Sequence, residues 1–207
     1  MDNSGKMLGA QINREWFLYQ AKEVFGERRH KRMTIGLPDE TGRRENRICL
    51  TPEAVGVLVD FGHSILVQRG AGEQAHYHDR DYADAGAQMV DTREEVYTSD
   101  VILKPTPVMQ EDVEVMRDRQ VILSPIELFE LRKEAIVEMM QKKVTAIGFD
   151  ILKGENGTYP VVEMMSEISG NSAIMIASEY LSNSREGKGI LLGGITGVTP
   201  AEVVILG

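Results

Sequence analysis

Short, wholly apolar runs rich in β-branched residues recur along this chain with helix-patterned segments between them, and that recurrence most constrains its fold. Met33 to Leu37, Ser64 to Val67, Val101 to Leu103, Val121 to Leu123 and Val144 to Phe149 each read as a strand with no polar face. A strand apolar on both faces must be covered on both, so the pattern predicts an α/β fold with a parallel sheet between helical layers. The intervening segments carry helix punctuation. Thr51 is a natural N-cap with Pro52 at the first helical position; Val55, Leu58 and Val59 share a face, and Gly62 follows the end. Asp91 is expected to cap a short helix in a box with Glu94, ending at Tyr97. Gln110 to Met116 and Leu128 to Lys142 are expected helices, and the Asn156-Gly157 turn leads to a connecting helix over Met164 to Leu181. Val203 to Leu206 reads as one further buried strand.

Residues 1–31 stand apart. Trp16, Phe17, Tyr19, Ala21, Val24 and Phe25 give a leader helix an apolar stripe, followed by the basic cluster Arg28, Arg29, His30, Lys31, Arg32. The expected organisation is therefore a leader and basic linker at 1–31, a substrate-binding α/β domain at 32–162, and a connecting helix opening a second domain at 163–207. The chain has 23 basic and 32 acidic residues and a formal charge of −9, which argues against nucleic acid and anionic lipid as partners. No apolar run reaches the ~18 residues of a membrane span, and the start lacks a signal-peptide core, so a cytoplasmic location is expected.

Ligands of open parallel sheets bind past the carboxyl ends of the strands. Three charged residues fall there: Arg47 in the loop after the first strand, Lys104 at the end of Val101 to Leu103, and Glu127 shortly after Val121 to Leu123. An arginine fork beside a lysine ammonium suits a small carboxylate, and the lysine can also polarise a neighbouring carbonyl. Other reactive residues read as structural. Cys49, between Ile48 and Leu50, is a small apolar-flanked core residue; His76 and His78, two apart in a loop, have no second ligand cluster, so no metal is expected; the 11 methionines are spaced as core or interface filler.

Several longer motifs carry a resemblance. The segments at 45–52 (ENRICLTP), 70–72 (GAG), 100–104 (DVILK), 165–170 (MSEISG), 187–194 (GKGILLGG) and 200–207 (PAEVVILG) resemble, in order and spacing, alanine dehydrogenase and its relative the nicotinamide nucleotide transhydrogenase alpha subunit. The resemblance covers about residues 33 to 207. It implies a Rossmann- or flavodoxin-like substrate domain, then the first strand of a second, Rossmann domain, with NAD-dependent oxidation of L-alanine to pyruvate and ammonia in the cleft between them. It implies that Arg47 binds the substrate carboxylate, that Lys104 is the catalytic lysine touching the carboxylate and carbonyl region, and that Ser166 lies beside the cofactor; a homo-oligomer is also expected.

Two departures qualify what the resemblance implies. Glu127 stands where the family commonly has its acid/base histidine, and a free glutamate titrates near ~4.3 against ~6.5 for histidine. The family's phosphate-cradling glycine loop, ribose-binding acid and catalytic aspartate correspond to positions after Leu206, so these 207 residues taken alone are expected not to transfer hydride. The alternatives are a transhydrogenase-like protein, a dehydrogenase of another amino acid, or a non-catalytic carboxylate-binding or assembly module.

Overall fold

The computed structural model describes residues 31–126 and 131–205. The expected leader helix, Glu127, the start of the helix expected from Leu128, and Leu206 lie outside the described residues.

Six strands form one all-parallel sheet: β1 (Thr34–Leu37), β2 (Ser64–Gln68), β3 (Gln88–Val90), β4 (Val101–Leu103), β5 (Val121–Ser124) and β6 (Thr145–Gly148), in the order β3-β2-β1-β4-β5-β6. The order reverses between β1 and β4, the doubly wound arrangement. Among the described residues the helices are α1 (Pro52–Asp60), α2 (Asp79–Asp84), α3 (Arg93–Val96), α4 (Gln110–Val115), α5 (Lys133–Gln141) and α6 (Pro160–Leu181). Contacts divide the chain into two compact units, Met1–Ile151, which holds the sheet, and Leu152–Gly207, which holds α6.

The all-apolar strands feed two separate cores. In β2, Ile65 and Val67 join Leu37, Val55 and Tyr82 on one face, while Leu66 joins Tyr97, Ile102, Val113 and Ile122 on the other. Complete burial of such a side chain stabilises by about 1.5–3 kcal/mol, so both helical layers are required. Close layer packing explains Gly36 in the middle of β1: a Cβ there would stand 2.7 Å from Val96 Cγ1 and from the Val96 carbonyl.

Thr51 caps α1 as expected, its hydroxyl accepting from the Ala54 N–H at 3.4 Å, with Pro52 at N1. The cap of α3 lies one residue later than expected. Thr92 Oγ1 accepts from Glu95 N–H, and Glu95 Oε2 accepts from Thr92 N–H at 2.9 Å; Asp91 is drawn away because Arg69 Nε donates to it at 2.7 Å. The sequence reading missed α2 and β3. The first is the charged run DRDYAD, anchored by one buried ring, Tyr82, whose hydroxyl donates to the Leu50 carbonyl at 2.9 Å. The second is three residues long. Pro160 starts α6 four residues before the expected Met164, as its fixed φ favours at N1. The strand expected from Val203 is not formed over its described residues: Val203 to Ile205 are exposed and unpaired, since β propensity needs a neighbouring ladder to become a strand.

Candidate functional site

The chain leaves β1 and β4 in diverging directions, and the crevice between their carboxyl ends is where such a sheet positions ligand-binding groups. Beyond β1, Pro38 and Asp39 lead to Glu40; beyond β4 comes Lys104. Lys104 has no accessible surface. Its ammonium lies 2.5 Å from Asp112 Oδ2 and 3.3 Å from Glu40 Oε2. Asp112, equally sealed, sits in the first turn of α4 and also accepts from Tyr97 Oη at 2.9 Å, from the Met109 N–H at 2.8 Å, from Arg43, and from Arg93 in a very short contact. Arg93 also reaches Glu40 Oε1 at 2.7 Å and lies over the Tyr97 ring. Arg43 Nη1 donates to Glu40 at 3.0 Å and Arg43 Nη2 to the exposed Glu111 at 2.9 Å, while Thr106 Oγ1 closes the cluster on Glu40.

Among the described residues this is an alternating network of three cations and two buried carboxylates. Burial raises the Asp112 carboxyl, but Lys104 and Arg93 outweigh it and hold the group well below the usual carboxylate range. Burial lowers the Lys104 ammonium from its ordinary value, opposed by the charges of Asp112 and Glu40. Burial, reinforced by Asp112, drives the Tyr97 phenol well above its usual value, so it donates and does not ionise. Such a cluster is rigid because each charge is costly to strand in a low dielectric.

Arg47 lies in the same loop as Arg43 but faces water, with 56% of its side chain exposed. Glu45, only 14% exposed, takes its fork side-on: Arg47 Nε donates to Oε1 at 2.9 Å and Nη2 to Oε2 at 2.6 Å. Among the described residues Arg47 and Lys104 share no carboxylate partner. Burial pushes the Cys49 thiol up to about 12, in keeping with the structural reading of Cys49. Ser166 is exposed on α6, in the other unit. His78 caps α2 and pairs with Glu73 at 3.1 Å, and His76 has a left-handed backbone after the 3-10 turn Glu73–Ala75.

Sequence reasoning placed Lys104 at the end of a strand and missed everything that holds it. Glu40, Arg43, Arg93, Tyr97 and Asp112 are spread over 73 positions of sequence and converge only through the topology. One local signal was present: an acid three residues after Met109, in the first turn of a helix, is placed to take that helix's free N–H groups.

A doubly wound parallel sheet with a charged cluster at its switch point defines a Rossmann-like α/β domain. Residues 36–169 match the family described as alanine dehydrogenase/PNT, N-terminal domain, and residues 173–207 match the corresponding C-terminal domain. The chain belongs to this alanine dehydrogenase/PNT family. It is 34% identical over 176 residues to the alanine dehydrogenase of Methanococcus maripaludis, and 32% identical over 176 residues to that of Mycobacterium tuberculosis, covering in each case 84% of this chain and 47% of the relative. Among solved structures, an L-alanine dehydrogenase superposes with a TM-score of 0.75 at 30% identity, covering 81% of this chain and 46% of the other. A transhydrogenase from Sinorhizobium meliloti gives 0.52 at 25% identity, covering 56% and 35%. The chain thus spans about half the length of the curated relatives it matches.

Proposed function

We propose that this chain supplies the substrate-binding half of an NAD-dependent alanine dehydrogenase, in which L-alanine, NAD+ and water give pyruvate, ammonium, NADH and a proton. The observation that carries this reading is the half-exposed Arg47 guanidinium in the loop that follows β1, one of the two strands flanking the switch point of the sheet. A planar fork binds the carboxylate that alanine and pyruvate share. Lys104 stands behind this rim as a buried cation, and direct contact with substrate requires its pairing with Glu40 or Asp112 to open. Glu127 takes the acid/base position and Ser166 lies beside the cofactor, both by resemblance to the family.

NAD would accept the hydride from the substrate carbon. The described residues after α6 do not by themselves fit a dinucleotide: over 182–205 the one helical segment is the 3-10 turn Asn183–Arg185, with no helix N-terminus to face a pyrophosphate. Residues 1–207 alone are accordingly proposed to bind substrate without turning it over. No described helix is long and apolar enough to cross a membrane, and the proposed location is the cytoplasm. A homo-oligomer is supported by α6, which has no buried residue in 22 and exposes Met164, Ile168, Met175, Ile176 and Tyr180.

Calorimetry tests the reading. Pyruvate is expected to bind the 207-residue chain, and Arg47→Ala to lose ~2–5 kcal/mol of that affinity. Equal binding by wild type and variant would remove Arg47 from the site, and no binding by either would favour a non-catalytic assembly module. NADH production from alanine and NAD is expected only from a chain extended by the family's C-terminal half; comparable production by the 207 residues would overturn that part of the reading.

A further inference from the structure

We propose that Glu45 is a positioning residue for Arg47: it holds the guanidinium plane in place so that the substrate carboxylate meets a fixed fork. The proposal rests on the reading of Arg47 as the carboxylate-binding group. Three hydrogen bonds carry it. Besides the two side-on bonds from Nε and Nη2, the Arg47 backbone N–H donates to Glu45 Oε1 at 2.8 Å. The carboxylate is therefore tied at once to the backbone and to the side chain of one residue two positions on. This closes a small ring that fixes the arginine torsions.

An exposed ion pair ordinarily contributes little, because two long side chains must be ordered to form it. Here much of that ordering is local. Glu45 is largely withdrawn from solvent while Arg47 is half exposed, and the carboxylate takes the Nε and Nη2 edge of the guanidinium. A bidentate side-on pair also fixes the plane, which a single contact to a lysine would not. Free arginine side chains carry about 2 kcal/mol of rotamer entropy. Ordering Arg47 before substrate arrives removes part of that cost from binding.

Pyruvate titration of the 207-residue chain by calorimetry tests this, with Arg47 Nε–H followed by 15N NMR. Glu45→Gln keeps the size and one acceptor oxygen but loses the second. It is expected to weaken pyruvate binding about tenfold, the loss of one ordered charge-assisted contact. The Arg47 Nε–H resonance, protected from water exchange in the wild type, is expected to broaden or vanish. In an Arg47→Ala background the Gln change is expected to have no further effect on affinity. Pyruvate binding equal to or tighter than wild type would overturn the proposal, the tighter result meaning that Glu45 competes with substrate. If the wild type itself fails to bind pyruvate, the functional reading falls, and the positioning role is judged on the Nε–H resonance: unchanged protection in Glu45→Gln refutes it. Should that variant not fold, Glu45→Asp is read in its place, with the same loss of protection and affinity expected because the shorter side chain cannot span all three donors.

Discussion

Lys104 Nζ lies 2.5 Å from Asp112 Oδ2, and neither side chain reaches solvent. Removing one member of such a pair strands the other in a low dielectric, which costs about 3–5 kcal/mol. Asp112→Asn is therefore expected to lower unfolding free energy by about that amount, read from urea denaturation. Tyr97→Phe, which removes one neutral donor to the same carboxylate, should cost less, about 1.5–3 kcal/mol. Because the two share Asp112, the double variant should cost clearly less than the sum. Additive losses would mean that the cluster does not act as a unit.

The same carboxylate predicts how stability responds to acid. Asp112 is held below its unfolded-state value of ~3.9, so its contribution is fully present above that value and is lost as pH falls through the lower folded one. Wild-type stability should fall steeply below about pH 4, and the fall should be shallower in Asp112→Asn, which has no such proton to take up. Parallel acid limbs in the two proteins would show that other carboxylates dominate acid unfolding.

Cys49 offers a check on the loop behind Arg47. Its thiol is pushed up to about 12 by burial, so at pH 8 only about one molecule in ten thousand carries the thiolate, against roughly a quarter for a free cysteine. Reaction with a thiol-specific reagent should be slower than for a free cysteine by about a thousandfold or more. A rate near the free-thiol value would mean that the loop opens readily and exposes the sulfur.

Five of the six sheet strands were legible in the sequence because their signals are local. Val101-Ile102-Leu103 can hardly be anything but a buried strand, and the residue after it must sit at a strand end. What surrounds Lys104 was not legible: Glu40, Arg93 and Asp112 come from three separate loops and helices, and only the β1–β4 adjacency brings them together. Short elements escaped for the opposite reason. The six-residue α2 has a single buried apolar side chain, too few for periodicity to register, and is held by the tertiary bond from Tyr82 to Leu50. At Asp91, local capping chemistry pointed to the wrong residue because Arg69, on a different strand end, competes for that carboxylate.

Glu127, proposed by resemblance to stand in the place of the family's histidine, has a chemistry that is directly testable. If it acts in the histidine's place in a chain extended by the C-terminal half, alanine turnover should show an acidic limb set by a carboxylate, whose unperturbed value is ~4.3. Glu127→Gln should abolish that limb and lower kcat, and not simply raise KM. Glu127→His should restore turnover with the limb displaced upward by about two units, toward the ~6.5 of imidazole. The upward displacement is the discriminating result, because a purely structural glutamate would leave the position of the limb unchanged in every folded variant. A wild-type profile in both substitutions would remove Glu127 from the chemistry and leave the proton transfer to another group.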